Sequence, residues 1–103
     1  MKIRVTAKNY PQEVLRSETP VLVEFFAVWC GKCAMMEDVL DEIAKEYDGC
    51  VKVCPIEIEE SAVLAAEFEV GIVPAFVVFR DGKLVNYANG VLAKDVLIRM
   101  LEI

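Results

Sequence analysis

The stretch Val21–Cys33, VLVEFFAVWCGKC, decides how this chain folds. Its first eight residues are apolar except for Glu24, a composition typical of a strand that is covered on both faces. After the two cysteines, apolar residues recur at helical spacing, which indicates an amphipathic helix. The apolar stripe of this helix comprises Met36, Val39, Leu40, Ile43, Ala44 and Tyr47. The sequence therefore predicts a buried strand, a Cys-x-x-Cys turn and a long helix, in that order.

The remaining elements follow from apolar periodicity and turn residues. The predicted strands are Ile3–Thr6, Val21–Val28, Cys50–Ile58, Ala75–Arg80 and Lys83–Ala88. The predicted helices are Tyr10–Arg16, the long helix that ends at Asp48-Gly49, Ser61–Phe68 and Ala93–Glu102. Helical crossovers make the earlier strands parallel, whereas the strong hairpin signal Asp81-Gly82 makes the last two antiparallel. We therefore expect one α/β domain over residues 1–103, with a mixed five-stranded sheet flanked by four helices.

Composition and charge exclude several classes of function. The chain has 103 residues and is 56% hydrophobic, which is enough to bury a core without disulfide staples. Its net charge of −6 argues against nucleic acid, which attracts basic proteins, and against an anionic membrane surface. The absence of histidine removes the Cys–His and Ser–His nucleophile systems, together with the commonest metal ligand.

The sequence shows no signal for export or membrane insertion. The first residues, MKIRVTAKNYP, lack the apolar stretch of a signal peptide, and no run reaches the roughly 20 apolar residues that span a bilayer. We therefore expect a cytoplasmic protein with no membrane partner, and nothing in the sequence requires more than a monomer. Structural disulfides are rare in the cytoplasm, so a Cys-x-x-Cys pair there indicates redox catalysis or metal binding.

The Cys30–Cys33 pair has the spacing of a redox-active disulfide. Residues three apart in a helix share one face, with Cβ atoms about 5–6 Å apart, so a small adjustment brings the two sulfurs within bonding distance. Cys30 lies at the helix amino terminus, where free N–H groups and the helix dipole stabilise a thiolate. We therefore assign Cys30 as the attacking thiolate and Cys33 as the thiol that resolves the resulting mixed disulfide.

Several separated segments resemble the thioredoxin family, in the order in which that family has them. They are VLVEFFA, WCGKC, the later Val73-Pro74 pair and Gly90, and the resemblance covers nearly the whole chain. It implies the thioredoxin fold, a cis Val73-Pro74 bond beside the cysteines, and a protein-disulfide reductase active in electron transport and cell redox homeostasis. The residues expected to contact the client protein are Trp29, Gly31, Lys32, Val73, Pro74 and Gly90.

The resemblance also implies the partners of such an enzyme. Clients are proteins with disulfides, and the electron donor is a thioredoxin reductase, either flavin-dependent with NADPH or ferredoxin-linked. The protein itself is expected to need no bound cofactor and no metal. The alternatives are a specialised protein that serves one client or pathway, and a redox-inactive binding module that uses the groove near Pro74.

The chain departs from the usual family pattern beside the cysteines. Lys32 replaces the proline of the common CGPC motif, and a cation next to the thiolate favours the reduced form, which predicts a less negative reduction potential. Glu24 occupies the place of a buried aspartate that assists proton transfer to the resolving thiol, and burial is expected to raise its pKa. The lysine that often accompanies this aspartate corresponds to Pro55 here, so we expect Glu24 to lack that partner.

Other interpretations of the same residues remain open. The main one is a four-cysteine zinc site, since Cys50 and Cys54 repeat the spacing of the first pair closely. The intervening helix argues against it, because it would hold the two pairs more than about 20 Å apart. We expect Cys54 to pack as a small hydrophobe and treat Cys50 as a candidate regulatory thiol. The purely structural alternatives are a core aromatic at Trp29, a solvent-reaching carboxylate at Glu24, a solvated amine at Lys32 and a turn residue at Gly90.

Overall fold

A mixed sheet of four strands lies at the centre of the structure, a computed structural model that describes residues 1–103. The strands are β1 (Val21–Phe26), β2 (Lys52–Glu57), β3 (Ala75–Arg80) and β4 (Lys83–Asn89), in the spatial order β2-β1-β3-β4. β1 and β2 are parallel, as the helical crossover predicts, whereas β3 is antiparallel to both β1 and β4. The parallel crossover predicted through the Ser61–Phe68 helix is therefore wrong, since β3 runs opposite to β1. Strand β1 is paired on both sides and covered on both faces, which explains its nearly continuous apolar sequence.

Four helical segments flank the sheet. The first is a short π-helical segment, Pro11–Leu15, in which the Arg16 N–H bonds to the Pro11 carbonyl five residues earlier. The others are α1 (Gly31–Glu46), α2 (Ala62–Glu67) and α3 (Lys94–Leu101). Helix α1 ends before the predicted Asp48-Gly49, and Gly49 lies in the following turn with φ +84°. None of these helices combines the length and the apolar character that crossing a bilayer requires.

The β3–β4 hairpin is closed by Asp81-Gly82, as the sequence predicts. These residues have φ values of +52° and +76°, the left-handed backbone of the turn whose twist matches that of hairpin strands. A Cβ atom at Gly82 would lie 2.7 Å from the Leu15 carbonyl oxygen. Glycine is therefore required at this position both for the turn and for the close approach of the Pro11–Leu15 segment.

The amino-terminal segment pairs with β2 but does not form the fifth strand predicted at Ile3–Thr6. The hydrogen bonds that join them run from Val53 N–H to Met1 O, from Ile3 N–H to Val53 O, and from Val5 N–H to Pro55 O. In this parallel pairing every second residue of β2 donates its N–H to the amino-terminal segment, so the next donor, to the Ile3 carbonyl, would be residue 55. Residue 55 is proline, which has no N–H to donate. Only an isolated bridge between Lys2 and Val53 remains of the fifth strand. The predicted α/β architecture with four helices is confirmed, with four strands in place of five.

Two hydrophobic clusters, one on each face of the sheet, form the core. The cluster that joins α1 and α3 to the sheet includes Leu22, Leu40, Phe76 and Leu97. The opposite cluster includes Val14, Phe25, Leu64 and Val77. Since successive strand residues point to opposite faces, Glu24 shares the α1 face with Leu22. This alternation places the Glu24 carboxyl group on the face of the sheet that α1 covers, close to the start of that helix.

Candidate active site

Cys30 caps the amino terminus of α1. Its backbone is extended, with φ −92° and ψ 109°, and its sulfur accepts a hydrogen bond of 3.1 Å from the backbone N–H of Cys33. The sulfur also lies 3.8 Å from the carbonyl oxygen of Val73. Cys30 is partly exposed to solvent. Because the first-turn N–H groups favour negative charge on this sulfur, the position suits a nucleophile that meets a partner at the surface.

Cys33 lies in the first turn of α1 and is only 4% exposed. Burial, and then the hydrogen bond to Cys30, raise the pKa of the Cys33 thiol to about 12. Glu24 contributes a smaller increase in the same direction. Both active-site cysteines are free thiols in the structure. The Cys33 thiol therefore stays protonated at neutral pH until a base takes its proton, which separates its chemistry from that of the more exposed Cys30.

Glu24 is 4% exposed, so the burial expected from the sequence is confirmed. Burial raises the pKa of its carboxyl group from 4.5 to about 7, while the charge of Lys2 lowers this pKa and that of Glu37 raises it. The Oε2 atom of Glu24 has no hydrogen-bond partner. The β1–β2 register sets Glu24 opposite Pro55, so β2 offers it no charged neighbour. A carboxyl group with a pKa near 7 can both take and give a proton at neutral pH.

A cavity of about 420 Å³ connects Glu24 to the two cysteines. Its remaining charged lining residues are Lys2, Arg4 and Glu37. Water occupies about 30 Å³ per molecule in the liquid, so the cavity has room for several. It therefore offers a path for protons between the buried carboxyl group and solvent, on a side of the cysteines lined by neither Trp29 nor Pro74.

Backbone contacts link Gly90 to Pro74 and Val73 to Cys30. The Val73-Pro74 bond is cis, as the resemblance implied, and Pro74 is buried. The Gly90 N–H donates a hydrogen bond of 2.8 Å to the Pro74 carbonyl, which ties the end of β4 to this loop. Gly90 has φ +93°, so its backbone favours glycine although nothing lies within 4 Å of a Cβ placed there. The structure thus brings Val73, Pro74 and Gly90 together beside Cys30.

Exposed apolar side chains adjoin these groove residues along the chain. Trp29 is 69% exposed, which argues against the core aromatic considered as its alternative. Ile72 and Val91, which are not among the residues predicted from the sequence, are 59% and 47% exposed. Each directly neighbours a predicted groove residue in the sequence, and this adjacency could have identified them as part of the same surface.

Two glutamates that are not among the residues predicted from the sequence fix the orientation of Trp29. The indole Nε1 of Trp29 donates a hydrogen bond of 3.0 Å to Oε1 of Glu59. The carboxylate of Glu57, only 7% exposed, accepts hydrogen bonds from the N–H groups of Glu59 and Glu60, at 2.6 and 3.2 Å. Glu57 therefore holds the loop after β2 in the conformation that presents Glu59 to the indole. The run EIEE at residues 57–60 was visible, but an acidic run is usually a solvated surface.

The remaining candidate residues are the two between the active-site cysteines and the second pair of cysteines. Gly31 and Lys32 are exposed in the first turn of α1. Cys54 is fully buried, as expected for a small hydrophobe, and burial raises its pKa to about 12. Cys50 is exposed. No group of three or more cysteine, aspartate, glutamate or histidine side chains is placed to share a metal ion.

The comparisons with known proteins agree with this geometry. Residues 1–103 match the family model for thioredoxin. Thioredoxin 1 of Nostoc sp. is 38% identical over 99 residues, which cover 96% of this chain and 92% of that protein. Thioredoxin of Pseudomonas aeruginosa is 37% identical over 100 residues, covering 97% and 93%. The chloroplastic thioredoxin M5 of Oryza sativa subsp. japonica is 38% identical over 95 residues, covering 92% of this chain and 55% of that longer protein. The chain therefore belongs to the thioredoxin family and is a thiol–disulfide oxidoreductase.

Proposed function

We propose that Cys30 and Cys33 reduce disulfides in client proteins through a mixed disulfide. The Cys30 thiolate attacks one client sulfur and releases the other as a thiolate, which takes up a proton. The Cys33 thiolate then attacks the Cys30 sulfur, closes the Cys30–Cys33 disulfide and releases the second client sulfur. The observation that supports these roles is the 3.1 Å hydrogen bond from the Cys33 N–H to the Cys30 sulfur, because an N–H donor stabilises a thiolate on this partly exposed residue.

Glu24 acts in this proposal as the base for the second step. The Cys33 thiol must lose its proton before it can attack, and burial raises its pKa to about 12. Glu24 lines the same cavity, and its carboxyl group has a pKa of about 7. An ionised Glu24 can accept the Cys33 proton as the sulfur–sulfur bond forms, then pass it to water in the cavity. The Cys33 proton is thus accounted for by Glu24 and water, so this step requires no bound cofactor or metal.

The client binds, in this proposal, across the apolar surface around Cys30. The exposed indole of Trp29 and the side chain of Ile72 provide apolar contact area. The backbone of Val73 lies beside the Cys30 sulfur, and Lys32 adds one exposed positive charge. A surface built from backbone and apolar groups recognises extended chain around a disulfide more than a particular sequence. We therefore favour a general protein-disulfide reductase over a protein dedicated to one client.

The electrons that restore the dithiol come, in this proposal, from a thioredoxin reductase, flavin-dependent or ferredoxin-linked. Relatives of this chain include a protein named chloroplastic as well as bacterial thioredoxins. The cytoplasmic location and the monomeric state stay predictions. Purified reductases of the two classes, assayed separately with the oxidised protein, distinguish the electron donors.

Trapping tests the assigned roles. In a Cys33→Ser variant, Cys30 can attack a client but the mixed disulfide cannot be resolved, so clients stay attached. Mass spectrometry of the trapped species should identify many proteins for a general reductase and one or a few for a dedicated one. The matched control is Cys30→Ser, which should trap far fewer. Equal trapping by both variants would contradict the assignment of Cys30 as the nucleophile. Both variants should also carry Cys50→Ser, because Cys50 is an exposed thiol.

A further inference from the structure

The strand position opposite Glu24 carries no charge. The β1–β2 register pairs Glu24 with Pro55, which has neither a charged side chain nor an N–H group. The Oε2 atom of Glu24 is buried without a hydrogen-bond partner. A buried carboxylate without a partner is strongly disfavoured, so any nearby cation has a large effect on its ionisation. The two cations that line its cavity come from the amino-terminal segment, beyond β2.

The amino-terminal segment lies next to β2 and brings two cations to this side. Lys2 forms the isolated bridge with Val53, and Val53 is paired with Leu22 on β1. Leu22 belongs to the hydrophobic cluster that joins α1 and α3 to the sheet, and Glu24 lies on the same face of the sheet as Leu22. Val5 points the other way, into the opposite cluster. Because side chains alternate along an extended segment, Lys2 and Arg4 share the face of Glu24. Both line the cavity that contains the Glu24 carboxyl group.

The two cations are held differently. The Arg4 guanidinium lies 5.5 Å from the ring centroid of Phe26, its Nε donates to Oε1 of Glu60 at 3.1 Å, and its side chain is 52% exposed. The Lys2 side chain is 29% exposed, and its Nζ lies 2.8 Å from Oδ1 of Asp41 on α1. Lys2 therefore spans from the edge of the sheet to α1 while lining the cavity, and its side chain is less screened by solvent than that of Arg4.

We propose that Lys2, as part of the cavity lining, is the positioning residue that stabilises the ionised form of Glu24. This inference rests on the proposed role of Glu24 as the base for Cys33. The charged and titratable groups that line the cavity around Glu24 are Lys2, Arg4, Glu37, Cys30 and Cys33. Lys2 lowers the pKa of Glu24, opposing the larger effect of burial, while Glu37 on α1 raises it.

The positive charge of Lys2 increases the fraction of enzyme in which Glu24 is ionised and can assist the attack of Cys33 on the mixed disulfide. Only the ionised form of Glu24 can take the Cys33 proton. Without the positive charge of Lys2, the Glu24 carboxyl group holds its own proton to a higher pH, and fewer molecules can resolve the mixed disulfide at neutral pH. Lys2 bonds to Asp41 and to neither cysteine, so its proposed effect on the reaction runs through the charge state of Glu24.

Titration of the Glu24 carboxyl group tests the proposal directly. In the reduced protein with carboxyl-¹³C glutamate, the Lys2→Met variant should titrate Glu24 at a pH higher by roughly 0.5, the shift expected for a partly exposed charge pair. Lys2→Arg should restore most of the original midpoint. The matched control is Lys8→Met, which removes an exposed lysine outside the cavity and should leave the midpoint unchanged. An unchanged midpoint in Lys2→Met, or an equal shift in Lys8→Met, overturns the proposal.

A second variant separates charge from loosening of the segment. Asp41→Asn breaks the ion pair but keeps the Lys2 charge, so the Glu24 midpoint should stay or fall. An upward shift equal to that of Lys2→Met would mean that detachment of the segment, and not charge, is the cause, and would overturn the proposal. The pH dependence of mixed-disulfide resolution should follow the same order of variants. If Glu24→Gln leaves resolution unchanged, the proposed base role fails, whereas the titration result for Lys2 stands on its own.

Discussion

Replacing Glu24 with glutamine should make the reduced protein more stable at neutral and alkaline pH. In the folded state burial raises the pKa of the Glu24 carboxyl group from 4.5 to about 7. In the unfolded chain the group ionises near its ordinary value. Between these two pH values the folded state still holds a proton that the unfolded state has lost, so raising the pH favours unfolding. The stabilising proton is fully present below pH 4.5 and is lost as the pH passes 7.

The magnitude follows from the size of this change. One pKa unit corresponds to about 1.4 kcal/mol, so the full effect of Glu24 on the free energy of unfolding is about 3 kcal/mol in wild type. Because Glu24 is 4% exposed, little of this is lost to solvent screening. Glutamine has nearly the same shape and no ionisation, so the Glu24→Gln variant should lack this loss of stability. A buried base of this kind lowers the free energy of unfolding at neutral pH, and the same raised pKa suits it to proton transfer.

Guanidinium unfolding under reducing conditions, at about pH 5 and about pH 8, measures the effect. Wild type should lose roughly 2–3 kcal/mol more than Glu24→Gln over this interval. The pH interval ends at about 8 because the buried thiols Cys33 and Cys54 affect stability at higher pH. Their pKa values are raised from 9.0 to about 12, so above pH 9 the unfolded chain loses thiol protons that the folded state keeps, and stability falls. The matched control is Asp38→Asn, which removes an exposed carboxylate of α1 and should follow wild type. Equal losses in wild type and Glu24→Gln would refute a buried carboxyl group that ionises near neutrality.

Three further predictions concern other positions. Lys32→Pro should give a more negative reduction potential in a glutathione or dithiothreitol redox titration, because the charge that favours the thiolate form is removed; an equal or higher potential contradicts this. Pro55→Ala should supply the missing N–H to the Ile3 carbonyl, so the new amide at position 55 should exchange slowly with deuterium; fast exchange there would mean that the ladder is broken for another reason. Gly82→Ala should destabilise the fold by more than Gly49→Ala, which costs about 1 kcal/mol for its backbone alone. Both glycines have positive φ, but only at Gly82 would a Cβ atom meet a carbonyl oxygen, at 2.7 Å; equal losses in thermal unfolding would exclude the steric contribution.

The sequence alone determined those features that depend on neighbours along the chain. The buried strand, the cysteine turn and the amphipathic helix follow from apolar spacing over about ten residues each. The Asp81-Gly82 hairpin follows from the local preference of these residues for positive φ. The burial of Glu24 follows because a single charge within an apolar run has no exposed face to occupy. The assignment of Cys30 and Cys33 rests on the same local signals, and its catalytic detail stays a prediction.

Only the tertiary structure decided which groups from distant parts of the chain meet at the site. Lys2 reaches the cavity of Glu24, and Glu59 binds the indole of Trp29, although more than twenty residues separate the members of each pair. The fifth strand shrinks to a bridge because the one N–H missing from Pro55 falls on the side of β2 that faces the amino-terminal segment. Strand register and loop packing set these contacts, and neither leaves a periodic pattern in the sequence, since each depends on how whole elements fit against each other.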